Sequence, residues 1–272
     1  MADGPHPAAP VPGTHVDLGH AMITMIEPTR DPTRLAEYNR WYEHDHAYSG
    51  VLVGPWAFSY RRFVATRDLK ALRAPDPSTV ADPVTTGSYI AAYWFLQDRV
   101  DEHFAWSFPQ TQWLTTEGRM NPDREHVSTS LYDFRGSVNR AGWPVPPEIA
   151  LDHPYGGLVA TWLDLAPGAD HEALVTWALD DWLPGVLAGE NALAQALVFT
   201  PRDFPGVPGT GVGVGERLVV LGFTSGDPRT GWTAIRDAVT APVTAGAHAS
   251  VGLVAPFVPV VPGTQTYADE LW

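Results

Sequence analysis

The sequence predicts an α+β protein made of two tandem halves, each with the element order βαββαβ. Three observations carry this reading: a long internal repeat, the same element order before and after the midpoint, and a Pro- and Gly-rich stretch between. The first copy of the repeat runs from Trp41 to Phe63 and the second from Trp177 to Phe199. Trp41 matches Trp177 and Asp45 matches Asp181. One residue is then lost, so that Val51-Leu52 matches Val186-Leu187 and Arg67-Asp68 matches Arg202-Asp203. A period this long marks a duplicated domain rather than a solenoid. The copies differ in their polar residues. His46, Tyr60, Arg61 and Arg62 align with Trp182, Gln195, Ala196 and Leu197. A copy released from chemistry drifts toward packing residues, so the first half is where a site is expected.

In chain order, His20 to Glu27 reads as a short strand. Asp31 to Tyr48 reads as a helix, with Asp31 as N-cap and Pro32 in the first turn. Trp56 to Thr66 and Ser88 to Leu96 alternate as strands. Arg99 to Glu117 is helical, with Pro109 expected to kink or split it. His126 to Phe134 alternates again. The second half repeats the order: a strand over Leu158–Leu165, a helix over His171–Leu183, strands over Ala192–Thr200 and Arg217–Thr224, a helix over Thr230–Val239, and a strand-rich end over Ala249–Val261. The domain reading is a disordered tail (1–17), a first half (18–135), a linker (136–156) and a second half (157–272). Strand–helix–strand twice over is the split βαβ pattern of ferredoxin-like folds. Such a sheet carries helices on one face and must bury the other, so the two sheets are expected to pack together.

A formal charge of −14 excludes a phosphate-binding surface of the usual kind and so argues against nucleic acid. The absence of cysteine excludes disulfides, thiolate nucleophiles and zinc–thiolate sites. No stretch has the apolar length of a membrane span, and residues 1–14 lack the pattern of a secretory signal, so a cytoplasmic location is expected. Eleven tryptophans favour an aromatic-lined cavity without locating it. Gly209 to Gly215 precedes a strand rather than following one, and lacks the Lys-Ser/Thr of a P-loop. It reads as a hairpin or lid.

Trp41-Tyr42-Glu43-His44-Asp45-His46, followed by Gly54-Pro55 and Arg61-Arg62-Phe63, resembles the pattern of the dimeric α+β barrel superfamily, and of its EthD-like branch in particular. The resemblance implies two ferredoxin-like halves fused into one α+β barrel, with the usual dimer internalised as a pseudo-dimeric monomer; further homodimerisation stays open. Asp181-Trp182-Leu183-Pro184 keeps the acidic and Pro positions but replaces the His. The superfamily includes cyclases, cofactor-free monooxygenases, isomerases and haem-degrading enzymes, so the fold alone does not choose a reaction.

His46 occupies the family His position and is the first candidate for proton transfer. Asp45 is placed to orient it, and Arg62 and Tyr60 to stabilise an oxyanion. Tyr93, His103, Trp106, Trp41 and Phe58 are the expected substrate contacts, His103 being the second proton-transfer candidate. His126, Ser128, Ser130 and Tyr132 form an alternating polar stripe. His44 and His46 lie two apart on a helix and do not share a face, so no metal is expected. The expectation is a cofactor-independent lyase/cyclase or isomerase, working by acid–base chemistry on a hydrophobic carbonyl or phenolic small molecule. The alternatives are a cofactor-free monooxygenase and a non-catalytic protein binding a hydrophobic ligand or haem.

Overall fold

The computed structural model describes residues 16–203 and 212–272. Residues 1–15 of the expected tail and the Gly209–Gly211 part of the expected lid lie outside them. Eight antiparallel strands form one closed barrel in the order β1-β3-β2-β8-β5-β7-β6-β4. The strands are β1 (Leu18–Pro28), β2 (Ala57–Val64), β3 (Tyr89–Leu96), β4 (Arg124–Asn139), β5 (Gly157–Leu165), β6 (Leu193–Arg202), β7 (Arg217–Thr224) and β8 (Ala249–Pro259). Each set of four has the ferredoxin-like order: β4-β1-β3-β2, then β8-β5-β7-β6. The two sheets join edge to edge. β4 pairs with β6 from Leu131↔Arg202 to Asn139↔Gln195, whereas β2 meets β8 only at Phe63↔Pro259 and Val64↔Val258. Closure removes the free edges that two open sheets would expose. β4 runs on through Gly136 to Asn139, so the connection expected over 136–156 begins inside this strand.

Alternation gives the barrel an apolar interior. Rings meet across it from non-adjacent strands: Trp94 lies 5.5 Å from Phe199, and Phe63 lies 6.4 Å from Phe223. The outer face of the first sheet carries α1 (Pro32–Trp41) and α3 (Val100–Thr116); α2 (Arg67–Ala71) follows β2. The second sheet carries α4 (His171–Trp177), α5 (Leu183–Ala188) and α6 (Trp232–Ala245). Asp31 caps α1 as expected, its carboxylate accepting from the N–H groups of Thr33 (2.9 Å) and Arg34 (3.0 Å). Pro109 does not split α3, which continues to Thr116. The turns around the proline are tied down from outside the helix: Ser107 Oγ donates to the Gly50 carbonyl and Gln110 Nε2 to the Ser49 carbonyl. Among the described residues no helix is long and apolar enough to cross a membrane.

Candidate active site

Beyond Trp41 the first helix widens into two π-helical turns, Tyr42–His46 and Tyr48–Leu52, with Ala47 N–H bonding the Tyr42 carbonyl and Val53 N–H that of Tyr48. Such i→i+5 turns are rare, and are found disproportionately at functional sites. The second half repeats the first of these at Ala178–Trp182. The turns bring His46 and Trp182 to equivalent places over their sheets. His46 stacks on Trp41 at 4.3 Å and 17°, and Trp182 stacks on Trp177 at 5.4 Å and 1°.

What the two side chains leave behind them differs. In the second half the Trp182 indole is 3% exposed and donates from Nε1 to the Val239 carbonyl of α6 at 3.1 Å. Only about 10 Å³ stays open there, bounded by Trp182, Ala196 and Gly222. In the first half a cavity of about 190 Å³ lies between the helices and β1, β3 and β4, with His46, Tyr42 and Tyr93 in its wall. Small residues on the second sheet thus receive a large indole, while the first pairs larger sheet residues with an imidazole too short to fill the gap. The sequence alignment of Tyr60 and Arg62 with Gln195 and Leu197 is corrected here. Tyr60 pairs with Tyr93 and Ala196 with Gly222, so Ala196 and Val198 hold the equivalent helix-facing positions. Gln195 instead bonds Tyr155 Oη and the Val145 carbonyl.

His46 Nδ1 is fully buried against Gly50, where a Cβ would sit 3.4 Å away, and it has no hydrogen-bond partner. Burial, with the Arg124 charge adding to it, pushes the imidazolium down to about 3. The ring is therefore neutral at physiological pH, and among the described residues no hydrogen bond fixes its tautomer. Tyr42 and Tyr93 share a hydrogen bond between hydroxyls at 2.9 Å, and burial raises both above the usual phenol range. Both keep their protons. One O–H serves the shared bond, which leaves the other to donate to a ligand.

Across the cavity runs a second polar chain. Thr24 and Thr129 hydroxyls meet at 2.7 Å, and Thr129 meets His126 Nδ1 at 2.7 Å. Burial also lowers the His126 pKa, with Arg124 assisting. These residues escape the alternating stripe expected of β4. The register slips between Met25↔Ser128 and Ile26↔His126, so Val127 bulges out. His126 and Thr129, three apart, then line the cavity together, whereas an uninterrupted strand would group 126, 128 and 130.

Of the expected site residues, the structure brings His46 and Tyr93 to the cavity wall, with Trp41 behind the imidazole. Tyr60 stacks behind Tyr93 at 4.7 Å and faces a separate cavity with Arg62. Arg62 is spoken for: it donates to Glu43 (3.2 Å) and Asn39 (2.8 Å), and lies 3.7 Å from the centre of the Tyr89 ring. Glu43 in turn accepts from Gly263 N–H at 2.7 Å. Asp45 points away, to Arg119 (2.5 Å) and Ser49 (2.7 Å), and these bonds lower its pKa. His103 bonds the Pro55 carbonyl through Nδ1 at 2.5 Å and packs against Phe95 and Phe104. Trp106 covers Gly54, where a Cβ would stand 2.2 Å from its ring. Phe58 packs half-buried on the core beside a register shift in β2. His44 is exposed, and among the described residues no group of three or more His, Cys, Asp or Glu side chains is placed to hold a metal ion.

No family model and no curated protein matches the sequence. Solved structures do. An anthrone oxidase-like protein shares 12% identity over 90% of this chain and 92% of its own, with a TM-score of 0.55. A dye-decolorizing peroxidase from Bacteroides thetaiotaomicron shares 10% over 94% and 96%, at 0.51. A protein assigned as a monooxygenase from Fusobacterium nucleatum shares 9% over 92% and 96%, at 0.50. At such identities the likeness is one of fold, and it agrees with the closed barrel and its strand order: the chain has the dimeric α+β barrel fold, with both ferredoxin-like units in one polypeptide.

Proposed function

We propose that the first-half cavity is an active site in which His46 exchanges a proton with a hydrophobic carbonyl or phenolic small molecule. The observation that carries this is the contrast between equivalent positions. Trp182 closes its half, while His46 opens onto a cavity with no hydrogen-bond partner of its own. Nδ1 is closed off against Gly50, so a ligand in the cavity meets the ring through Nε2, which has no hydrogen-bond partner among the described residues. A neutral imidazole this hard to protonate is a weak base when alone. It becomes effective when the proton it takes leaves an oxyanion beside it, because the ion pair replaces the missing solvent. The free hydroxyl hydrogen of the Tyr42–Tyr93 pair is available to the same oxygen. The first chemical event is thus proton transfer from substrate O–H or C–H to His46, giving a phenolate or enolate.

Two fates of that anion stay within this reading. Return of the proton at another atom gives isomerisation, cyclisation or elimination. Attack of the electron-rich anion on dioxygen gives oxygenation, and the names of the anthrone oxidase-like and monooxygenase structures favour that second fate. The size of the first-half cavity, about 190 Å³ against the roughly 300 Å³ at which drug-sized pockets begin, favours a small aromatic occupant there over haem.

Deuterium uptake by the enolisable ketone 2-tetralone in D2O tests the proton step, and oxygen uptake with anthrone tests the oxygenation branch. His46→Ala is expected to cut enzyme-dependent exchange by about a hundredfold to ten-thousandfold. Equal exchange in wild type and His46→Ala would defeat the assignment.

A further inference from the structure

We propose that the cavity selects ligands bearing an anionic group, and that Arg124 is the residue that recognises it. The inference rests on the cavity being a ligand site and adds the charge of its occupant.

Among the described residues, Arg124 is the one in the cavity wall with a fixed charge. Among the described residues no carboxylate lies within ion-pair distance of it. Its guanidinium sits 4.9 Å over the Trp41 ring and donates to the Asn121 carbonyl. Of the two acids flanking it in the chain, Asp123 is held by Arg34, while Glu125 is exposed and alternation turns it to the other face of β4; Asp45, on the π-helical turn, is held by Arg119. In a chain with 31 acids and 17 bases, a cation at an apolar cavity with no carboxylate paired to it among the described residues leaves its counter-charge to come from a ligand. The Arg124 charge also reaches into the site, since it disfavours the charged forms of both His46 and His126.

The polar chain supplies a donor to go with it. If His126 Nδ1 accepts from Thr129 and Thr129 from Thr24, the His126 Nε2–H is free. If every bond runs the other way, the Thr24 O–H is free. In either direction a neutral donor accompanies the guanidinium, and with Arg124 it makes a charge-assisted pair of contacts suited to a carboxylate or phenolate. The occupant inferred is an aromatic acid, its rings against the apolar wall and its anion on Arg124.

Calorimetric titration of the full chain at neutral pH with 2-naphthoate and its uncharged isostere 2-naphthamide tests this. Wild type is expected to prefer naphthoate by about tenfold or more, the size of a charge-assisted hydrogen bond. Arg124→Gln removes that preference while naphthamide still binds as in wild type, and Arg124→Lys restores part of it. Equal binding of the two compounds by wild type, or an undiminished preference in Arg124→Gln, overturns anion recognition and leaves the cavity reading standing. Loss of both ligands in Arg124→Gln alone shows that Arg124 only shapes the wall through Trp41, which also overturns it. Binding of neither compound by wild type removes the cavity reading and this inference together.

Discussion

Replacing Trp182 and His46 by alanine, one at a time, separates a packing residue from the proposed site residue at equivalent positions of one chain. Trp182→Ala removes a fully enclosed indole, its bond to the Val239 carbonyl and its stack on Trp177. Burying a void of that size costs about 3–5 kcal/mol. His46→Ala loses the stack on Trp41 and the edge contact with Tyr42, each worth about 0.5–1.5 kcal/mol, while its nitrogens make no bond to lose and the space beside it is already open. At about 2–4 °C per kcal/mol, Trp182→Ala lowers the melting temperature by about 6–20 °C and His46→Ala by about 2–12 °C. Thermal unfolding followed by far-ultraviolet circular dichroism reads both, and deuterium exchange into 2-tetralone reads function alongside. The expected pattern is crossed: Trp182→Ala is unstable but active below its transition, and His46→Ala is stable but inactive. Equal destabilisation by the two substitutions would refute the claim that the halves have diverged into an open and a closed cavity.

Other outcomes follow from the same contacts. Arg62→Ala strands the buried Glu43 carboxylate and should cost about 3–5 kcal/mol in urea unfolding, whereas an oxyanion-binding role would show mainly in turnover. His46 has a folded pKa near 3 against an ordinary 6.5, so the unfolded chain binds the extra proton between those values. Its contribution is fully present above pH 6.5 and is lost as pH falls toward 3, by about 1.4 kcal/mol per pH unit within the window; unfolding of His46→Gln should lack that slope. The Asp45 carboxyl, held low by Arg119, should return toward the ordinary carboxylate range in Arg119→Ala, as read by carbon-13 NMR titration.

The fold was legible because duplication writes it twice. The Asp31-Pro32 start of α1, the Trp41/Trp177 pair and the strand order needed no tertiary information. The difference between His46 and Trp182 was legible for the same reason, since one copy serves as the reference for the other. What stayed hidden depends on contacts that no spacing encodes. The Val127 bulge changes which β4 residues share a face, and so conceals His126 and Thr129. Arg62 reads as a free cation until Glu43 and Asn39, on another element, close around it. Arg124 gave no signal, because an arginine at the start of a strand is ordinary until the cavity beside it is seen and no carboxylate is found paired with it.

The two halves also bear different burdens. The first carries the cavity, the orphaned His46 Nδ1 and a buried Tyr38 hydroxyl without a partner. Each of these works against folding, the unsatisfied atoms by about 1–3 kcal/mol apiece. A lone ferredoxin-like sheet would bear them with its inner face still to cover. Here the second half covers that face, through the ring contacts across the barrel and the long β4–β6 ladder. It also adds an apolar outer layer in which Trp182 leaves almost no void. Filling one cavity and keeping the other is therefore a coupled arrangement. The closed copy stabilises the barrel on which the open copy stands, so a polar, unfilled cavity can persist in the first half.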